Sequence, residues 1–426
     1  MRTNDAVQNE AGGRREWIAI VAATAAMLSL SMGIRQSLGL FMQPVTADIA
    51  LTVSGFTLAI AVQNLMWGVL QPVAGALAER YGFRLVMTLG ALAYVAGLLA
   101  LATADGAFGV FVGAGVLIGA AMACTGMGLS LAVAATAASE ARRSMTLGIV
   151  SAAGSLGAVV AAPLGQGLIE AVDWRAGALG FAAMAAAMPA AAWIAGRVDH
   201  RAAWRRPGRA VGAASSGRLD GVERGAALRQ AMATPAFVVM ATAYFVCGMQ
   251  LVFLTTHLPS YLALCGLQPM LAAEAFGLIA IFNVFGSLFF GWAGGRWSKT
   301  GLLGLIYVSR SVVLLWFFLQ APTPTTTLVF AALMGFLWLG VGPLMAGAVA
   351  EMFGLRWQAM LGGIAFFGHQ AGSFVGALGG GWIFERMGAY DVAWQLGVGV
   401  GLLAGATQIA CALAWDPRAR GRAAAA

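Results

Sequence analysis

Two arginines stand inside long apolar stretches of this 426-residue chain. Arg310 lies in GLIYVSRSVVLLWFFLQ, residues 304–320, and Arg35 in GIRQSLGLFMQP, residues 33–44. An arginine at the centre of a membrane helix costs ~2.5–3.5 kcal/mol on insertion scales, so such a residue faces a bundle interior or a watery cavity. At 1.5 Å per residue, Arg310 stands ~13 Å along a helix that starts at Gly301, close to the bilayer midplane. Arg35 stands ~27 Å from Trp17, in the outer part of its run, where a long side chain snorkels more easily. The 17 acidic residues offer no partner at that depth. Asp48, Asp105, Glu170, Asp173, Glu274, Glu385 and Asp391 fall at one set of run ends, and the others fall on the opposite side. Fixed positive charge without fixed negative charge favours an anion, and a planar guanidinium offers a carboxylate two parallel hydrogen bonds. On that reading the missing partner is the substrate. The other reading for Arg310 is capping of backbone carbonyls and water at a helix break; for Arg35 it is a surface charge.

Polar side chains in neighbouring runs extend the candidate set. Gln63, Asn64, Gln250, Asn283, His369 and Gln370 are candidate solute ligands beside Arg310 and Arg35. Each could equally serve as an interhelical hydrogen bond. Tyr244 and Trp338 are candidates for an apolar wall or for core packing. With no buried carboxylate to relay a proton, coupling falls to the substrate's own carboxyl or to His369, with His257 second, because imidazole titrates in the working range. No metal-ligand spacing, no cofactor motif, no paired catalytic carboxylates and no nucleotide loop is present, so neither an enzyme nor transport driven by bound ATP is expected.

The elements that must position these residues are membrane helices. The chain is 60% hydrophobic and 10% charged, with 58 glycines, against about 25% charged residues in soluble domains. A soluble core of that size would lack polar surface to cover it. The net charge of +8 is not a nucleic-acid signal, because the cations sit in short clusters between apolar runs. The four cysteines show no paired spacing and read as small core residues. Arg14 and Arg15 precede an apolar run too long for a signal peptide, which reads as a retained first span. A window of about 20 residues gives twelve runs: roughly 17–43, 54–78, 85–104, 107–137, 145–170, 174–196, 235–262, 272–295, 302–320, 325–350, 358–384 and 390–415.

Most of the 25 basic residues fall on one side of these runs, including eight arginines in 197–230. Arg175 and Arg386 are on the other. The positive-inside rule then places both termini and 197–230 in the cytoplasm, at the plasma (inner) membrane. Residues 197–230, rich in Arg, Gly, Ala and Ser, read as a linker near anionic lipid. It joins an N-terminal six-helix bundle, 1–196, to a C-terminal one, 231–426. The halves also align with each other. Gly33 and Pro44 match Gly248 and Pro259 at an offset of 215; GALAER at 75–80 matches GWAGGR at 291–296 at 216; LGQG at 164–167 matches LGGG at 378–381 at 214. Two homologous bundles with a site near the midplane is a transporter architecture.

GALAERYGFR, Gly75 to Arg84, follows the second run on the cytoplasmic side. It resembles the Gly-x-x-x-Asp-Arg-x-Gly-Arg-Arg loop of the major facilitator superfamily. Glu79 replaces the acid conservatively, Phe83 replaces one cation, and GWAGGRWSKTG is a degraded second copy. The resemblance implies an all-α fold of twelve transmembrane helices, alternating access, a monomer, and gate roles for Glu79, Arg80 and Arg84. The stretches GLFMQPVTADI, CGMQLVFLTTHLPSYL and PLGQGLIEAVDWR are similar to a bacterial branch that includes monocarboxylate and oxalate–formate carriers. The eighth-span Asp–Arg pair of eukaryotic monocarboxylate carriers is absent here: LIAIFNVFGSLFFG offers Asn283 and no arginine. The fifth-span signature of drug/proton antiporters is partial, with Ala162 before Pro163.

The expected function is secondary transport of a small organic anion, by proton-coupled symport or anion exchange. The competing functions are efflux of neutral or drug-like compounds and a non-transporting membrane sensor or intramembrane enzyme. The orientation has its own test. Fluorescent protein fused after Ala426 should fold and glow in cells, whereas a periplasm-dependent phosphatase at the same point should be inactive; the reverse pair would invert the topology.

Overall fold

The computed structural model describes residues 2–139, 142–200 and 224–414. Among them no strand occurs, and every long element is a helix. Eleven helices are long and apolar enough to cross a membrane: Arg15–Asp48, Val53–Tyr81, Phe83–Ala102, Ala107–Ala137, Met145–Ala171, Trp174–His200, Pro235–Leu264, Pro269–Gly294, Lys299–Phe318, Pro324–Phe353 and Asp391–Ala414. The remaining expected span is the 33-residue helix Leu355–Met387. It is not among those eleven, and His369, Gln370 and its many glycines lower its hydropathy. In chain order these are spans 1 to 12, with Leu355–Met387 as span 11. Most of 197–230 lies outside the described residues; within it Gly196–His200 ends span 6 as a 3₁₀ turn, and Arg224–Met232 is a short helix.

Local chemistry sets many of the ends. Thr52, Asp173 and Ser298 accept the N–H three residues on and cap spans 2, 6 and 9. Thr323 and Thr326 form a capping box at span 10. Pro235, Pro269 and Pro324 start spans 7, 8 and 10, where the missing N–H would have no intrahelical partner. Between spans 2 and 3 the chain turns at Gly82 with φ +91°, a conformation that side-chain-bearing residues rarely adopt.

The chain divides into two compact units, Met1–Pro207 and Gly208–Ala426. In the first, span 1 packs chiefly on span 5, span 2 on span 4, and span 3 on both span 6 and span 4. The second pairs its helices in the same order: span 7 on 11, span 8 on 10, span 9 on 12. The contacts repeat residue by residue. A Cβ on Gly157 would lie 1.8 Å from the Ser29 carbonyl oxygen; one on Gly372 would lie 1.9 Å from the Phe245 carbonyl oxygen. A Cβ on Gly119 would lie 2.7 Å from the Gln63 carbonyl, and one on Gly335 would lie 2.5 Å from the Ile279 carbonyl. Each of these four correspondences spans 215 or 216 positions, the offset of the sequence repeat. Small residues bring backbones together here, as membrane helices require where no hydrophobic effect drives association.

Gly157→Ala and Gly372→Ala should each lower thermal stability of the purified protein by an amount equivalent to ~1–3 kcal/mol, the usual overpacking penalty. Gly167→Ala and Gly363→Ala, where a Cβ meets nothing within 4 Å, should leave the unfolding temperature within error. Equal behaviour of the two pairs would refute the close-packing account.

Candidate functional site

Span 10 is not a continuous helix. It runs as Pro324–Phe336 and Val341–Phe353, and residues 337–340 between them form turns. FLWLGVGP, residues 336–343, supplies the cause: Gly340 and Gly342 loosen the backbone, and Pro343 brings no N–H. In an unbroken helix the Gly342 amide would bond to the Trp338 carbonyl; instead it reaches the Leu339 carbonyl at 3.0 Å. The carbonyls freed at the break are taken by Arg310. Its Nη2 donates to Leu337 O at 2.8 Å and Trp338 O at 3.2 Å, and its Nη1 donates to Cys247 Sγ at 3.1 Å. On the other side of the break, the Leu339 N–H donates to Asn283 Oδ1 at 2.9 Å. Arg310 is fully buried, with its guanidinium carbon 5.9 Å from the Tyr307 ring centre.

The sequence left two readings for Arg310, and its contacts are those of the second. Two charge-assisted hydrogen bonds at ~1.5–3 kcal/mol each offset a comparable insertion cost, and they also satisfy carbonyls that would otherwise be orphaned in hydrocarbon. The expectation of an aqueous vestibule around Arg310 does not match a side chain with no exposed surface. Asn283 likewise spends its carbonyl oxygen on the backbone.

Arg35 differs. It is half-buried in the last turn of the helix that begins span 1, just before the backbone tightens into the 3₁₀ turn Leu38–Phe41. The C-terminal end of a helix dipole favours a cation there. Its Nη2 donates to Asn64 Oδ1, and its guanidinium carbon lies 5.1 Å from the Trp67 ring centre. Asn64 is fixed in turn by donating to Ile60 O at 2.7 Å, and Trp67 by donating to Gln71 Oε1 at 2.9 Å. Among the described residues Arg35 has no ion pair, and its Nε has no partner.

The other sequence-derived candidates divide the same way. Gln63 is buried and donates to Ala114 O at 2.7 Å, within the wide π-type turn Phe111–Leu117 of span 4. Gln250 donates to Gly397 O at 2.8 Å and Ser311 Oγ at 3.2 Å; its Oε1 is buried without a partner. Gln370 is buried, its Oε1 lies 3.0 Å from His369 Nδ1, and its Nε2 is unpartnered. His369 is half-buried, with the Tyr244 ring at 4.5 Å and the Phe366 ring parallel at 6.2 Å. His257 is enclosed: Nδ1 lies 3.2 Å from the Tyr390 hydroxyl and Nε2 lies 2.9 Å from Ala377 O. Thus the structure gathers Arg35 with Asn64 in the first unit and His369 with Gln370 in the second, and it sets Arg310 with Asn283 around the break.

At the loop after span 2, Glu79 and Arg80 are exposed, and Arg84 lies against the Trp193 ring at 4.8 Å. An unforeseen residue organises this corner. Asp199, at the end of span 6, accepts the N–H of Phe83 and of Arg84, both at 2.9 Å, and so caps span 3 from across the unit. A Cβ at position 82 would lie 2.7 Å from Asp199 Oδ2, which explains the glycine a second way. The only sequence signal was an acid at the start of a basic stretch.

Residues 19–377 match the sequence family described as Major Facilitator Superfamily. The chain belongs to that superfamily. It is therefore a multi-pass membrane protein and a secondary transporter of a small molecule, not an enzyme. No curated protein matches the chain. Paired helices 7–11, 8–10 and 9–12 repeating 1–5, 2–4 and 3–6 are what a duplicated transporter bundle requires.

Asp199→Ala should destabilise the transporter by about 1 kcal/mol, the usual value of a helix cap, and Asp199→Asn by less. Thermal unfolding of the purified protein would measure both; a neutral Asp199→Ala would remove the cap from the account.

Proposed function

We propose that this transporter moves a small organic anion, monocarboxylate-like, by proton-coupled symport or anion exchange. Arg35 is its anion contact. The observation that carries the reading is the state of that guanidinium: half-buried, oriented by Asn64 and Trp67, and lacking an ion pair among the described residues. A cation so held is preorganised, and a carboxylate can meet it with parallel hydrogen bonds. Arg310, with both terminal nitrogens bonded inside the protein and its Nε buried without a partner, contributes through the helix it holds. Gln250 and Gln370 each keep one buried amide atom unpartnered, which suits water or solute oxygen.

Inward movement of an anion against a negative interior needs a cation or an exchanged anion. His369 is the better protein candidate for a proton, because it is half-buried against Tyr244 and Phe366, whereas His257 is sealed between a hydroxyl and a carbonyl. Glu79, Arg80 and Arg84 act at the cytoplasmic gate, and 197–230 links two six-helix bundles whose termini face the cytoplasm. An exporter of neutral compounds would have no use for the Arg35 charge.

Purified full-length protein, heated with formate, oxalate or lactate, decides the matter. One of these should raise the unfolding temperature, as ligand at about 100 times its Kd adds ~2.7 kcal/mol of stability. Arg35→Gln should abolish the rise and Arg35→Lys should weaken it. No rise with any carboxylate, or an undiminished rise in Arg35→Gln, overturns the proposal.

A further inference from the structure

The residues around the span 10 break have counterparts in the first unit at a constant spacing. Subtracting 216 from Cys247, Asn283, Ser287 and Arg310 gives Ser31, Trp67, Gln71 and Tyr94. Those four residues also surround an interruption. Span 4 stops at Thr125 and resumes at Met127, and Gly126 between them is extended. Tyr94 donates from its hydroxyl to Ser31 O at 2.8 Å, and Ser31 Oγ lies 3.0 Å from Thr125 Oγ1. A Cβ on Gly126 would lie 3.3 Å from the Trp67 ring, and Gln71 donates to Ala123 O at 3.3 Å. In the second unit Arg310 donates to Cys247 Sγ and to the two freed carbonyls, and Ser287 donates to Asn283 Oδ1 at 3.5 Å. The same four positions, on three helices of each unit, therefore form a connected set beside an interrupted fourth helix, which Ser31, Trp67 and Gln71 meet in the first unit and Asn283 and Arg310 in the second.

We propose that this constellation is a duplicated helix-break clamp, and that Arg310, Asn283 and Cys247 form a lock that positions span 10. Arg310 is thus a positioning residue for transport rather than a solute contact. The inference rests on the repeat and the superfamily, not on the anion reading, and it stands if the transported solute is neutral. The chemistry differs between copies for a local reason. The first-unit interruption is one extended glycine beside a threonine hydroxyl, which neutral partners satisfy. The second frees two consecutive carbonyls, which one guanidinium can span with a single nitrogen.

Amide hydrogen exchange of the full-length protein in lipid nanodiscs tests the lock. In Arg310→Met and in Asn283→Leu, peptides covering 333–345 should exchange roughly tenfold faster or more, while peptides from 391–414 stay unchanged. Cys247 supplies a second readout, being buried with 1% exposure. With Cys124, Cys265 and Cys411 replaced by alanine, maleimide labelling of Cys247 should accelerate in Asn283→Leu, where the arginine remains and the thiol's electrostatic surroundings are kept. Unchanged exchange at 333–345 in folded variants, or an equal rise throughout the second unit, overturns the proposal. Should Arg310→Met fail to fold, the Asn283→Leu labelling and exchange results decide alone.

Discussion

A guanidinium bonded to the open end of a broken membrane helix is the interaction on which the second unit depends. Neither half of it is stable by itself. A buried arginine without acceptors is too expensive for the hydrocarbon region, and two backbone carbonyls without donors are no better. Placed together, Arg310 and the 337–338 carbonyls cancel each other's penalty without any carboxylate. Asn283 completes the arrangement from the opposite side by accepting the Leu339 amide. The helix can therefore be broken in the membrane interior without exposing backbone to lipid.

This commitment changes how charge is distributed for function. Of the two arginines deep within spans, Arg310 has both terminal nitrogens bonded inside the protein, and Arg35 is half-buried with donors to spare. The spare one, Arg35, is set by Asn64 and by an aromatic face, both anchored by further hydrogen bonds. Supporting contacts of that kind fix a side chain's direction, which a recognition site needs. The superfamily assignment supplies the general activity; the orientation of Arg35 supplies the case for an anion.

Much of the fold was legible in the sequence because apolar run length is a strong signal. The twelve runs coincide with the helices, and the repeat offset of 215 or 216 recurs in the glycine contacts that join span 1 to 5 and span 7 to 11. The eleventh span was the weakest by composition, since His369, Gln370 and a glycine-rich sequence dilute its hydropathy. The partner of Arg310 was not legible, although a helix-break cap was one of the two readings. Backbone carbonyls leave no residue-type signature, and only Gly340, Gly342 and Pro343 hinted at the break. Asp199 was missed for a related reason: it caps a helix 115 residues away, a distance that local pattern does not reach. The role of Tyr94 was hidden because its counterpart at the repeat offset is an arginine; the positions are conserved between the copies while the chemistry is not.

The duplicated positions do not carry duplicated residues. Trp67 and Asn283, and Tyr94 and Arg310, share places and not properties, whereas Ser31 and Cys247 are alike in size. The most direct measurement of the central claim is an electron cryomicroscopy map of the protein in lipid, resolved well enough to show the Arg310 side chain. It should show density running from the guanidinium to the carbonyls of Leu337 and Trp338, with the helix open at 337–340. An arginine turned toward lipid or onto a carboxylate, or a helix continuous through Gly342, would contradict the account.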